Sequence, residues 1–74
     1  MTAVTRATVA RMYLEVLNGR REAAWEQGLE DGLSEDEAEL VVNELRELAQ
    51  YRMAMQLTFD RAVDYYVASQ GVYG

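Results

Sequence analysis

Apolar residues recur along this chain at helical rather than strand spacing. In the first segment Val9, Met12, Val16 and Leu17 follow one another at helical steps, with Tyr13 beside them, as in a helix with one buried face. The pattern predicts a helix from about Thr5 to Leu17, capped by Thr2 or Thr5. Asn18-Gly19 stops it, because both residues tolerate a left-handed backbone. A second helix follows from about Arg20 to Asp31, with Ala23, Trp25 and Leu29 as its apolar contacts. Gly28 weakens that helix by ~1 kcal/mol relative to Ala. Trp25 is the largest packing group in the chain and is read as a core anchor, with an interface hot spot as the alternative.

From Ser34 to Gln70 the chain has neither glycine nor proline. The start of this run is sharply marked. Gly32 suits a left-handed cap for the preceding helix. Ser34 and Glu37 stand three residues apart as a capping box, with Leu33 and Ala38 placed as a hydrophobic staple. Glu35, Asp36 and Glu37 bring negative charge to the positive end of the new helix dipole. A calcium loop is excluded here. With Gly32 at the sixth position, the first, third and twelfth fall on Gln27, Leu29 and Ala38, where oxygen donors are required.

On a helical wheel Val41, Leu45, Leu48, Met55, Phe59, Ala62, Val63 and Tyr66 form one stripe, whose dominant spacing alternates between three and four as in a heptad seam. Arg52 falls in the middle of that stripe. Leu40, Tyr51, Ala54, Leu57 and Tyr65 form a second, looser apolar cluster. A helix apolar on two sides is covered by two partners: here the first half of the same chain and a second copy of it. The expected architecture is therefore all-α, a small helical bundle of two short helices packed on one long C-terminal helix, dimeric along that helix. The alternative is a compact four-helix monomer with a break near Tyr51. Arg52 accordingly pairs with a Glu across the dimer seam, or turns to solvent at a bend near Gln50–Arg52. Residues 1–74 make a single domain, with 71–74 a frayed tail.

Composition narrows the functional classes. The 74 residues include no Cys and no His. Disulfides and thiolate metal sites are excluded, so a scaffold of this size depends on regular helix packing or oligomerisation. The commonest general base and the strongest side-chain nucleophile are missing, and helical carboxylate di-metal sites normally use Glu-x-x-His. With no Gly-rich phosphate loop either, the chain is read as non-enzymatic and without cofactor or metal. Half of the residues are hydrophobic, too many for a disordered chain, yet no stretch approaches a membrane span. No long apolar segment follows Met1–Arg6, so no signal peptide is expected and the expected compartment is the cytoplasm.

The net charge of -6 is unevenly distributed. Residues 1–21 carry Arg6, Arg11, Arg20 and Arg21 against Glu15. Residues 22–49 carry ten acids against Arg46, a net of -9. An acidic centre of this kind repels phosphate, so direct nucleic-acid binding is disfavoured. It suits docking on a basic protein surface, where complementarity gives encounter rate and specificity. Glu35, Asp36, Glu37, Glu39, Glu44 and Glu47 are the expected partner-binding residues. Trp25, Val41, Leu45, Leu48, Arg52, Met55, Phe59 and Tyr66 are the expected interface and packing residues.

The leading expectation is a small acidic helical protein that binds another protein and regulates or inhibits it. A concrete form is a phage- or plasmid-encoded inhibitor of nucleic-acid-handling machinery such as RNA polymerase or a defence nuclease. A structural protein that oligomerises through its long helix is the first alternative. The second is a helix-turn-helix DNA-binding repressor using residues 5–31, with Asn18-Gly19 as the turn. Glu22, Glu26, Glu30 and Asp31 on its would-be recognition helix count against it. An anionic membrane surface would likewise repel most of the chain.

Overall fold

The computed structural model describes residues 5–69 and contains four helices with no strand among them. Helix α1 spans Arg6–Leu17 and α2 spans Arg21–Glu30. Helix α3 spans Glu35–Met55 and α4 spans Phe59–Ser69. The frayed tail expected at 71–74 and the alternative cap Thr2 lie outside the described residues.

Local chemistry explains each boundary. Thr5 caps α1, its hydroxyl accepting the Thr8 N–H at 3.2 Å. The Ser34 hydroxyl accepts the Glu37 N–H at 3.1 Å, and the Glu37 carboxylate accepts the Ser34 N–H at 2.9 Å, which is the reciprocal capping box. Helices α1 and α2 both end in a Schellman arrangement. In the first, the N–H groups of Arg20 and Gly19 donate to the carbonyls of Glu15 and Val16 at 2.8 and 3.0 Å. In the second, Leu33 and Gly32 donate to Gly28 and Leu29 at 2.9 and 3.1 Å. Gly19 and Gly32 have φ of 74° and 102°, a conformation glycine adopts without steric penalty.

The long helix expected over Ser34–Gln70 is two helices, and the break lies at Gln56–Thr58 rather than near Tyr51. Helix α3 runs on through Gln50, Tyr51 and Arg52 to Met55. The reversal repeats the Schellman geometry without glycine. Leu57 and Gln56 donate to the carbonyls of Arg52 and Met53 at 3.1 and 3.4 Å, and Gln56 takes a left-handed φ of 54°. Two side chains reinforce it. Arg52 Nε donates to the Leu57 carbonyl at 2.8 Å, and the Thr58 hydroxyl accepts the Arg61 N–H at 3.2 Å, capping α4. Arg52 is thus half-buried and bound to the turn of its own chain, rather than released to solvent at a bend.

Folding back lets α4 bury Ala62, Val63 and Tyr66. Helix α1 packs against α2, α3 and α4, whereas α2 and α4 do not touch. The core consists of Val9, Met12 and Tyr13 of α1, Ala24 of α2, and Leu33 from the α2–α3 turn. Ala38, Val41, Val42, Leu45 and Leu48 of α3 complete it with the three α4 residues. Gly28 lies where the first three helices pack tightly together. A Cβ there would lie 3.0 Å from Met12 Cε, 3.1 Å from Ala38 Cβ and 3.2 Å from Leu33 Cδ1.

Polar contacts follow the same connections. Arg6 reaches Asp64 at 2.8 Å and Asp60 at 3.8 Å, tying α1 to α4. Arg11 reaches Asp31 at 2.6 Å, tying α1 to the end of α2. The Tyr66 hydroxyl donates to Glu44 at 2.7 Å, tying α4 to α3. Burial, with Glu44 as acceptor and neighbouring charge, pushes the Tyr66 phenol far above its ordinary value.

Candidate docking face

The α2–α3 pair carries the acidic surface. The Ser34 cap fixes the first turn of α3 beside Trp25, whose Nε1 donates to the Glu35 carbonyl at 3.3 Å. Farther along, Arg21 donates to the Asn43 side chain at 3.1 Å. Between these two ties lies an open groove of about 540 Å³ lined by Arg21, Glu22, Trp25, Glu39 and Val42. Trp25 is half-buried and packs against the core while one side lines the groove.

The six expected partner-binding acids divide into two kinds. Glu35, Asp36, Glu39 and Glu47 are exposed. Glu37 is engaged by the cap and Glu44 by Tyr66. The hydrogen bonds from Ser34 hold the Glu37 carboxyl below the usual range. Asp31 is held low chiefly by its hydrogen bond from Arg11. No ion pair among the described residues engages Glu22, Glu26, Glu30, Glu35, Asp36, Glu39 or Glu47. The basic residues of the first segment, in contrast, are largely neutralised: Arg6 and Arg11 as above, and Arg20 by Glu15 at 3.9 Å.

The expected packing residues also separate. Val41, Leu45, Leu48 and Tyr66 are buried. Phe59 is half-buried, its ring 5.5 Å from that of Tyr13. Met55 is 54% exposed. Of the second apolar cluster, Leu40, Tyr51, Ala54 and Tyr65 are exposed and Leu57 is half-buried, so the described residues leave most of that cluster uncovered. Tyr51 and Tyr65 meet across the α3–α4 cleft with ring centres 6.0 Å apart. They line a second, shallower groove of about 400 Å³ with Glu44, Glu47 and Leu48. Sequence reasoning placed both tyrosines in one apolar cluster but had no means to see a cleft that exists only because α4 folds back.

Among the described residues no group of three or more Asp or Glu side chains is arranged to hold a metal ion. No helix among them is long and apolar enough to cross a membrane. No family model matches the chain, and neither a curated protein nor a solved structure matches it.

Proposed function

We propose that this chain is a non-enzymatic regulator that docks on a basic surface of another protein through the exposed acids of α2 and α3. One observation carries the reading: seven exposed carboxylates of α2 and α3 have no ion-pair partner among the described residues and outnumber the unpaired Arg21 and Arg46 of the same helices, whereas Arg6, Arg11 and Arg20 are paired within the chain. A field of one sign accelerates encounter with an oppositely charged partner and is weakened by salt. Trp25 and Val42 in the adjacent groove offer the apolar anchor that charge alone lacks. A basic partner surface of this kind occurs where a protein handles nucleic acid, so inhibition by occupying such a surface is the specific form proposed. A cytoplasmic setting is part of the proposal.

The test compares wild type with Glu39→Arg/Glu47→Arg in affinity capture from the source cell. Both positions are exposed and neither belongs to the α3 cap. A partner with a basic surface, held by wild type and lost both from the variant and at high salt, is the expected result. Equal retention by a variant of unchanged helix content would exclude the acidic face.

The assembly reading is favoured by the exposed Tyr51, Met53, Met55 and Tyr65. The repressor reading has less support, because Arg6 and Arg11 are occupied by acids and α2 exposes Glu22, Glu26 and Glu30.

A further inference from the structure

We propose that the chain exchanges α4 with a second copy of itself. The Gln56–Thr58 turn opens, α3 and α4 become one continuous helix, and each α4 docks on the partner's α1 and α3. The inference is independent of the acidic docking face and gives the assembly reading a mechanism.

Four observations lead to it. The first is the pattern across the turn. Val41, Leu45, Leu48, Arg52, Met55, Phe59, Ala62 and Tyr66 are separated by steps of four and three that never slip, so the sequence keeps a single helix in phase through the residues where the chain reverses.

The second is the turn itself. Gln56 holds a left-handed φ of 54° without being glycine, and Gln and Leu are helix formers. With no proline to forbid it, opening exchanges the Arg52–Leu57 bond and the Thr58 cap for uninterrupted helical bonds. Short hinges under strain favour such exchange.

The third is that the side-chain ties from α4 to α1 and to the middle of α3 can form between chains as well as within one. Arg6 with Asp60 and Asp64, Tyr13 with Phe59, and Glu44 with Tyr66 all keep their geometry if α4 comes from the neighbour.

The fourth is the position of the uncovered apolar surface. Tyr51 and Met55, one turn apart on one face at the end of α3, are exposed by 46% and 54%. In the exchanged pair the two opened hinges cross side by side, and these residues cover one another. That contact is absent from the closed chain and supplies a reason for the pair to persist.

The test uses the full chain and two kinds of substitution. Gln56→Gly relieves the closed turn and weakens a continuous helix. Gln56→Ala does the reverse. Light scattering over a dilution series is expected to give a two-chain mass at micromolar wild type. The dissociation constant should rise about tenfold or more with Gln56→Gly and fall with Gln56→Ala, since the hinge effect enters once per chain and therefore twice per pair. Opening also lengthens the molecule. The continuous helix over residues 35–69 would measure about 50 Å, against a longest extent of 31 Å in the closed chain, a difference that X-ray scattering in solution resolves.

Exchange is separated from simple face-to-face pairing by charge complementation. In the Gln56→Ala background, an Arg6→Asp chain is mixed with an Asp60→Arg/Asp64→Arg chain. Each alone sets like charges against each other between α1 and α4. In an exchanged heterodimer both α1–α4 contacts regain opposite charges, so native mass spectrometry should show the mixed pair in excess over either homodimer. A mixture that stays at one-chain mass overturns the proposal. So does a dimer that is indifferent to Gln56 substitution and forms mixed pairs only at random. If a charge variant fails to fold, the Gln56 pair alone decides by the direction of its two shifts.

Discussion

Two small groups test how tightly this core is built. Gly28 sits where α2 meets Met12, Leu33 and Ala38. Ala38 Cβ is fixed to the α3 backbone and cannot step aside as a side-chain end can. Gly28→Ala gains ~1 kcal/mol of helix propensity but overpacks this junction, a change that usually costs about 1–3 kcal/mol. A net loss is expected, seen as a melting temperature lower by several degrees. An increase would show that α2 can slide away from α3. The two buried tyrosines make a sharper pair. Tyr66 donates to Glu44, so Tyr66→Phe should lose about 1–2 kcal/mol in chemical denaturation. The Tyr13 hydroxyl is buried with no hydrogen-bond partner among the described residues. Burial raises its pKa and the nearby Arg52 guanidinium lowers it less, so Arg52 acts on the phenol through charge and proximity without meeting it in a well-formed hydrogen bond. Tyr13→Phe should therefore be neutral or stabilising by up to about 1 kcal/mol. A loss as large as that of Tyr66→Phe would mean that Tyr13 is bonded after all.

At the scale of the element, three reversals of the chain share one geometry, and only two were legible in advance. Gly19 and Gly32 announce the first two, and the Ser34/Glu37 box announces the start of α3, because each signal is local and uses a residue type with few other roles. The third reversal uses Gln56, a residue that ordinarily continues a helix, so propensity pointed the wrong way. The signals that were present are weaker: Thr58 as an N-cap, with Asp60 in the first turn behind it. Arg52 was conspicuous as a charge in an apolar stripe, but its acceptor is a carbonyl freed by a turn that had not been foreseen. The acidic face shows the same limit. Glu37 could be assigned to the cap because its partner lies three residues away. Glu44 could not be assigned to Tyr66, which lies 22 residues away on a helix not known to fold back. Periodicity therefore identified which residues are apolar and helical, and left open which helix would cover them.

For the whole molecule the titrating groups predict a stability plateau. Tyr13 and Tyr66 have folded values above the ordinary 10.0. Their contribution is complete below about pH 10 and is lost as pH rises beyond it. Asp31 and Glu37 have folded values below the ordinary 3.8 and 4.5, so theirs is present above those values and is lost as pH falls through the lower ones. Melting temperature should hold level from about pH 5 to pH 10 and fall on both sides. The alkaline fall should be shallower in Tyr66→Phe, and an alkaline limb unchanged by that substitution would remove the assignment. Helix α1 imposes a different constraint. Like α3 it contacts each of the other described helices, and its contact with α4 joins two helices that lie far apart in the sequence. Until Phe59–Ser69 has been made, one side of α1 has nothing to cover it, and Arg6 lacks both of its acids. Assembly on a growing chain must therefore wait for α4. That interval is when an α1 still lacking its own α4 could accept one from a neighbouring copy.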